Sequence, residues 1–325
     1  MNIQSEVQGH FQGALPSRVG VALSGGGDSV ALLHILSQCF QGGPVKLLAA
    51  TVDHGLRADS AQEAELAAAL ATRMGIDHEI LHWRGWQGDG NLQDQARRAR
   101  YQLLSDWAKR HDIPIVALGH TADDQAETVL MRLARSAGVN GLAAMPVRRK
   151  VNGITLLRPL LRVTRAQLRS YLCQNDLTWV EDPSNEDRRF ERVRMRQAMK
   201  TLEPLGLTIQ SLSTVAENMA KAKEAIDQTV FLAGRDLADI VCGAVVFDEN
   251  KLREQPDEII HRLLLGALRW VSGGEYPMRR RVMSEALDCV RTGGGLTLGG
   301  CRILSRRGQV WICREFNAVR DEVTL

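Results

Sequence analysis

With 325 residues, 44% of them hydrophobic and 24% charged, the chain has the composition of a globular protein of about two domains, which excludes a disordered or low-complexity one. A net charge of +3 at pH 7 names no partner by itself, and no apolar run approaches the ~20 residues that span a bilayer. The start, Met1 to Glu6, lacks a basic segment followed by an apolar one, so the expectation is a soluble, cytoplasmic protein without a secretory signal or membrane partner.

The first half alternates buried-strand runs with helical patterns. Gly20 to Leu23 reads as a strand, Ser29 to Phe40 as a helix, and Leu47 to Val52 as a strand buried on both faces. Ser60-x-x-Glu63 is a capping box that opens a helix running to Met74, with Gly75 just past its end. A strand at Glu79 to His82, a helix from Leu92 to His111, a strand from Ile113 to Leu118 and a helix from Asp124 to Arg135 complete a βαβαβαβα order. Repeated crossovers of this kind imply an α/β fold with a doubly wound parallel sheet, whose ligands bind at the C-terminal strand ends.

Beyond Gly138 the texture changes. Thr164-x-x-Gln167 caps a further helix, a long helical segment runs from Ser213 to Asp239, and a glycine run, Gly293 to Gly295, precedes a hairpin of Thr297 to Leu304 and Gln309 to Cys313 joined at Arg306-Arg307-Gly308. The expected division is a catalytic domain at 1–212 and a smaller, mainly helical C-terminal domain with a short β hairpin at 213–325.

Ser24-Gly25-Gly26-Gly27-Asp28-Ser29 lies between the first strand and the first helix of that order. Free N–H groups and the positive end of the helix dipole favour an anion there, glycines let phosphate approach the backbone, and the Ser24 and Ser29 hydroxyls can donate to it. A carboxylate among phosphates implies an intervening cation, so Asp28 points to Mg²⁺. Neither a Walker A lysine nor Gly-x-Gly-x-x-Gly is present. The loop resembles that of the PP-loop ATP pyrophosphatases, of the adenine-nucleotide α-hydrolase-like type. The resemblance implies that Ser24, Gly25, Gly26, Gly27, Asp28 and Ser29 hold the pyrophosphate of ATP, with Val52, Asp53 and His54 bordering adenine.

A second motif, His120-Thr121-Ala122-Asp123-Asp124-Gln125-Ala126-Glu127-Thr128, follows the strand Ile113 to Leu118 and should stand at the same edge. Asp123 and Asp124 could hold a metal or a cationic nucleophile, and His120 could steer protons or bind phosphate; Thr121 or Asp123 could equally cap the helix. Five arginines, Arg188, Arg189, Arg192, Arg194 and Arg196, lie within nine residues, and Arg279 to Arg281 form a second basic cluster.

Together with Arg97-x-x-Arg100-Tyr101, Leu130-x-Arg132-Leu133-x-Arg135, Gly138-x-x-Gly141-Leu142, Arg158-Pro159-Leu160-Leu161 and Glu181-Asp182-Pro183-Ser184-Asn185-x-Asp187, these motifs resemble the tRNA(Ile)-lysidine synthases over residues 18–196. Val193 stands where that family commonly has Asn, and Ser136 where it commonly has Gly. The resemblance implies a ligase that uses ATP and Mg²⁺ to adenylate C2 of the wobble cytidine in an isoleucine tRNA with a CAU anticodon. The amine of L-lysine then displaces AMP. It implies Asp28 for metal and phosphate, Asp123 or Asp124 for lysine or metal, and Arg97 and Arg100 for the phosphate or adenylate. The run Arg188 to Arg196 is implied to meet tRNA phosphates. A homodimer is left open.

Rival readings meet specific gaps. A tRNA thiolase needs paired thiols or an iron–sulfur ligand set, whereas Cys39, Cys173, Cys242, Cys289, Cys301 and Cys313 are scattered and read as buried thiols. A small-molecule amide synthetase has no use for the arginine run. A non-catalytic RNA-binding protein has no use for an intact Ser24, Asp28, Ser29, Asp123 and Asp124.

Overall fold

A computed structural model describes residues 2–11, 13, 15–55, 60–84, 92–181, 189, 191–274 and 280–315. The chain divides into two compact units, Met1–Ala220 and Lys221–Leu325. In the first, a short helix α1 (Ile3–Gly9) is capped by the Asn2 side chain, which accepts from the N–H of Gln4 and Ser5. It is followed by β1 (Arg18–Ala22), α2 (Gly27–Phe40), β2 (Lys46–Asp53), α3 (Ser60–Arg73), β3 (Asp77–His82), α4 (Leu92–Arg110), β4 (Ile115–Leu118) and α5 (Ala122–Leu133), the alternation the sequence predicts.

Beyond α5 come α6 (Val139–Leu142), β5 (Arg148–Val151) and β6 (Ile154–Leu157). The six strands lie in the order β3-β2-β1-β4-β6-β5, all parallel except β5. This antiparallel edge hairpin is not among the predicted elements. It turns at Asn152-Gly153, both with positive φ, on the dipeptide that such turns favour.

Strand β1 is central and has two apolar faces. Val19, Val21 and Leu23 pack with α2 and α3 through Leu32, Ile35, Leu36 and Leu70, while Ala22 and β2 Leu48 and Ala50 pack with Leu104 and Trp107 of α4. Such two-sided burial explains why the central strands read as continuous apolar runs without alternation. After β1 the chain builds outward through β2 and β3, then returns to place β4 on the other side of β1. The loops following β1 and β4 therefore flank the point where the strand order reverses, the crevice where ligands of such sheets bind.

Three further helices complete the picture at this end: α7 (Arg165–Gln174), α8 (Glu191–Leu202) and α9 (Ile209–Leu237). The predicted capping box of α7 is present, with Thr164 and Gln167 exchanging side-chain and backbone bonds. Ala126, Val129 and Leu130 of α5 form a small core with Met199 of α8 and with Leu212 and Ala216 of α9.

The second unit contains β7 (Ala238–Val241), β8 (Ala244–Asp248), α10 (Glu249–Arg253), α11 (Asp257–Val271), α12 (Arg280–Thr292), β9 (Gly295–Leu298), β10 (Cys301–Arg306) and β11 (Gln309–Arg314). Its strands form an antiparallel sheet, β7-β8-β11-β10-β9, packed on α11 through Phe247, Ile260, Leu264, Leu268, Ile303 and Ile312. The expected hairpin is one part of this sheet. The run Thr297 to Leu304, read as one strand, is broken at Gly299-Gly300, whose positive φ values fold β9 back on β10. The helix predicted to reach Asp239 ends at Leu237, and Asp239 lies in β7.

The expectation of buried thiols holds fully only for Cys301. Cys39, Cys289 and Cys313 are half-buried and Cys173 and Cys242 exposed, because the last two sit near the ends of elements rather than on core faces. Among the described residues no helix is long and apolar enough to cross a membrane.

Candidate active site

At the end of β1 the chain turns through Ser24 to Gly26 straight into α2. Gly25 takes φ +79°, a left-handed conformation that favours glycine, and its carbonyl accepts from the N–H of Val180 at 3.0 Å. The N-cap of α2 is Gly26, which has no side chain to occupy the first-turn N–H groups. The helix begins two residues earlier than the sequence reading placed it, so Asp28 belongs to its first turn, where the dipole favours a carboxylate. Ser24 and Ser29 hydroxyls lie 3.1 Å apart, and Ser29 Oγ donates to Gly26 O at 2.9 Å, which closes the loop on itself. Gly119, just past β4, abuts this turn: a Cβ there would lie 3.1 Å from the Asp28 carbonyl and from Ser29 Cα. The strand edge carrying the second motif is thereby packed directly under the glycine loop.

The second motif supplies both a cap and a site. Thr121 caps α5 in a capping box with Asp124, whose Oδ2 accepts from the Thr121 N–H at 2.9 Å and hydroxyl at 3.0 Å. The other oxygen, Oδ1, accepts from Arg165 Nη2 at 2.6 Å and Arg192 Nη1 at 3.4 Å. Asp123 turns its Oδ2 to the backbone N–H of Arg165, at 2.8 Å. Glu127, one turn further along α5 and 2% exposed at its side chain, accepts on Oε1 from Arg165 Nη1 at 2.8 Å and Arg196 Nε at 3.0 Å.

Arg165 is the hub, since its Nε also meets Asp28 Oδ2 at 3.3 Å. Burial opposes its charge, but Asp124, Glu127 and Asp28 together raise its pKa. Asp28 is pushed up, chiefly by burial and further by Asp124, against the pull of Arg165. His120 falls to about 3, chiefly through burial, against the pull of Asp124 and with Arg158, Arg100 and Arg192 adding to the fall. Its imidazole is therefore neutral near pH 7, a hydrogen-bonding group and not a cation.

Val52, Asp53 and His54 end β2 at the same edge. Asp53 Oδ1 accepts from Gly55 N–H at 2.9 Å, and the rings of His54 and Trp83 meet edge to face with centroids 5.9 Å apart. Arg97 and Arg100 lie on α4, Arg97 over the Tyr101 ring at 5.2 Å, and the positive charge of Arg100 helps depress both His54 and His120. Burial also lowers the Arg100 pKa, with the neighbouring charge of Arg97 acting in the same direction.

Of the five predicted RNA-facing arginines, Arg192 and Arg196 turn toward Asp124 and Glu127, Arg194 donates to Arg189 O at 3.0 Å, and Arg189 is exposed. Arg188 lies outside the described residues, as does most of the signature from Asp182 to Phe190.

Some of the buried polar atoms without partners belong to these residues. Among the described residues they include Glu127 Oε2, His120 Nδ1 and His54 Nδ1. Buried polar groups are almost always paired, so each of these three atoms, on α5 and just past β2 and β4, keeps a hydrogen-bonding position to offer.

Sequence reasoning missed Arg165 and assigned Glu127 no role. A signal for Arg165 exists: it is the first residue of α7 after the Thr164 cap, where a positive charge opposes the helix dipole and so needs carboxylates nearby. Glu127 is four residues after Asp123 on α5, the spacing that brings two side chains to one helix face.

The PP-loop domain family matches residues 1–202. The tRNA(Ile)-lysidine synthase of Ruegeria pomeroyi is 54% identical over 318 residues, covering 98% of this chain and 76% of that one. That of Bradyrhizobium sp. (strain BTAi1) is 40% identical over 296 residues, covering 86% and 81%. Among solved structures, the U34-tRNA thiolase NcsA from Methanococcus maripaludis superposes with a TM-score of 0.59 over 67% of this chain and 78% of that chain, at 18% identity, a likeness of fold. With the glycine loop at the sheet's switch point and these relatives along nearly its whole length, the chain belongs to the tRNA(Ile)-lysidine synthase family of PP-loop enzymes.

Proposed function

We propose that this chain joins L-lysine to C2 of the wobble cytidine in an isoleucine tRNA with a CAU anticodon, using ATP to adenylate the base and releasing AMP and pyrophosphate. The product, lysidine, turns AUG decoding into AUA decoding. The observation that carries the residue assignment is Glu127 Oε2, a buried carboxylate oxygen without a partner, held beside Asp124 and joined through Arg165 to Asp28 of the glycine loop.

In this reading the first-turn N–H groups of α2 and the loop Ser24 to Ser29 receive the pyrophosphate part of ATP, and Val52, Asp53 and His54 border adenine. His120, neutral and with Nδ1 unpartnered, offers a hydrogen bond to the reacting phosphate or base. Arg97 and Arg100 lie on α4, and their guanidinium forks suit a phosphate. The amine of lysine arrives protonated; Glu127 with Asp123 or Asp124 attracts it, burial disfavours its charge, and the proton passes to the unpartnered Oε2 of Glu127 as the amine attacks C2 and AMP leaves.

Asp28 fits a Mg²⁺ ion, because among the described residues only its Oδ2 is engaged and Mg²⁺ commonly takes one or two carboxylates with the rest of its ligands from phosphates and water. When bound, the ion neutralises charge on the leaving pyrophosphate.

The test is incorporation of labelled lysine into an unmodified isoleucine tRNA with a CAU anticodon, with ATP and Mg²⁺, against an elongator methionine tRNA. Lysine should enter the first alone. AMP released in an RNA-dependent way without lysine transfer would assign the adenylating loop to another nucleophile.

The arginine run makes a separate prediction. Changing Arg192, Arg194 and Arg196 together to alanine should weaken tRNA binding and lower the slope of log K against log salt by about 2–3, at ~0.7–0.9 per phosphate contact. Because Arg192 and Arg196 also pair with Asp124 and Glu127, lysine use should change as well, while ATP binding persists. Unchanged tRNA affinity and slope would remove this assignment.

A further inference from the structure

The guanidinium of Arg165 stands where three carboxylates converge: Asp28 Oδ2 at 3.3 Å from Nε, Asp124 Oδ1 at 2.6 Å from Nη2 and Glu127 Oε1 at 2.8 Å from Nη1. Its main chain is held too, through the bond from its N–H to Asp123 Oδ2. These bonds join three segments of the first unit that are distant in sequence: the glycine loop, the start of α5 and the start of α7. Asp28 belongs to the phosphate half of the site, and Glu127, with its unpartnered buried oxygen, to the half that would receive an amine. Among the described residues Arg192 reaches Asp124 and Arg196 reaches Glu127, and neither reaches Asp28.

We propose that Arg165 is a positioning residue that couples the ATP half of the site to the lysine half, its planar fork fixing Asp28, Asp124 and Glu127 at the spacing where adenylated base and amine meet. The inference rests on the lysine-transfer reading above. Geometry demands a guanidinium: it offers five N–H donors in one rigid plane, whereas an ammonium is a point charge that cannot serve three separate carboxylates in fixed directions. Charge then dictates the kinetic signature. Removing Arg165 makes the site more negative by one unit, so attraction for the lysine cation persists, but the carboxylates repel one another and lose their alignment. The loss therefore falls on the rate of transfer and spares the affinity for lysine.

The experiment measures lysine transfer and AMP release under steady state for the chain as it stands and for R165A and R165K, with thermal melts of each, with and without guanidinium chloride at tens of millimolar. For R165A, kcat for lysine transfer should fall about 100-fold while KM for lysine stays within about threefold. R165K should fall about 10-fold in kcat, and added guanidinium should restore R165A about 10-fold without raising the unsubstituted enzyme. A residue that merely supports the fold would raise KM for lysine and ATP together and would not respond to guanidinium; that result in a folded R165A overturns the proposal. If R165A does not fold, R165K decides, and kinetics equal to the unsubstituted enzyme overturn it. Unsubstituted enzyme that transfers no lysine overturns the reaction reading and this proposal with it, whereas transfer without rescue of R165A overturns the proposal alone.

Discussion

Asp28→Asn is expected to abolish AMP formation, a fall of more than ~1000-fold, since it deletes the carboxylate of the glycine loop proposed to receive the pyrophosphate and Mg²⁺. Asn is isosteric and keeps an acceptor oxygen, so the loop geometry survives and what is lost is charge. The Asp28 side chain is partly buried, and burial is the largest influence on it, raising its pKa despite Arg165. A folded-state pKa above the unfolded one means that ionised Asp28 costs stability at neutral pH. The substitution should therefore leave the melting temperature unchanged or raise it while removing activity, as happens where a site keeps a charge for function that folding alone would not select. Labelled ATP with an isoleucine tRNA, read as AMP, measures the first part, and a thermal melt the second. AMP at the unsubstituted rate would end the metal and phosphate role of Asp28.

Much of this arrangement was legible in the sequence, for reasons particular residues make clear. Central strands are read easily because both faces of β1 and β2 are buried, leaving Gly20 to Leu23 and Leu47 to Val52 as mainly apolar runs without alternation. The glycine loop is read because its chemistry is local: strand, glycines, acid and helix follow one another without a gap. The edge hairpin β5–β6 escaped because its outer strand, Arg148 to Val151, is largely exposed and its residues lack an apolar face, although Asn152-Gly153 announced the turn. Arg165 escaped for a different reason. Its four partners lie 38 to 137 positions away in the chain, so its place after the Thr164 cap says that it needs carboxylates but not which ones. The helix-cap and active-site readings of Asp124 were alternatives in the sequence and are one fact in the structure, with Oδ2 capping α5 and Oδ1 facing the arginines. A residue with two oxygens can satisfy a local rule with one and a distant partner with the other.

That double engagement makes Asp124→Ala the substitution with the largest expected effect on stability, a loss of about 3–5 kcal/mol, the range for breaking a buried pair by removing one partner. Arg165 would keep Asp28 and Glu127, so the lower part of that range is the better expectation, and lysine transfer should be lost with it. Asp124→Asn separates the two roles. Its oxygen can still accept from Thr121, so it should be less destabilising than Ala by about 1 kcal/mol, the usual worth of a cap, while its amide N–H₂ meets the donors of Arg165 and the charge pair is lost in both variants. The pH dependence identifies the cause. Burial pushes the Asp124 carboxyl up, but Arg165, His120, the Thr121 N–H and Arg192 outweigh it and hold the folded pKa below 3.8. A depressed acid stabilises above its unfolded pKa, and that contribution disappears as pH falls through the folded one. The deficit of Asp124→Ala should thus be constant from pH 7 to about pH 4 and shrink below it. His120 acts in a different window: its pKa of about 3 lies below the ordinary 6.5, so the unfolded chain binds a proton the folded chain refuses, and stability falls as pH drops from 6.5 toward 3. His120→Gln should flatten that decline while leaving the Asp124 window in place. Urea unfolding of the three variants at pH 7, 5, 4 and 3 reads all of these differences. An Asp124→Ala protein as stable as the parent would mean that Asp28 and Glu127 alone suffice to hold Arg165.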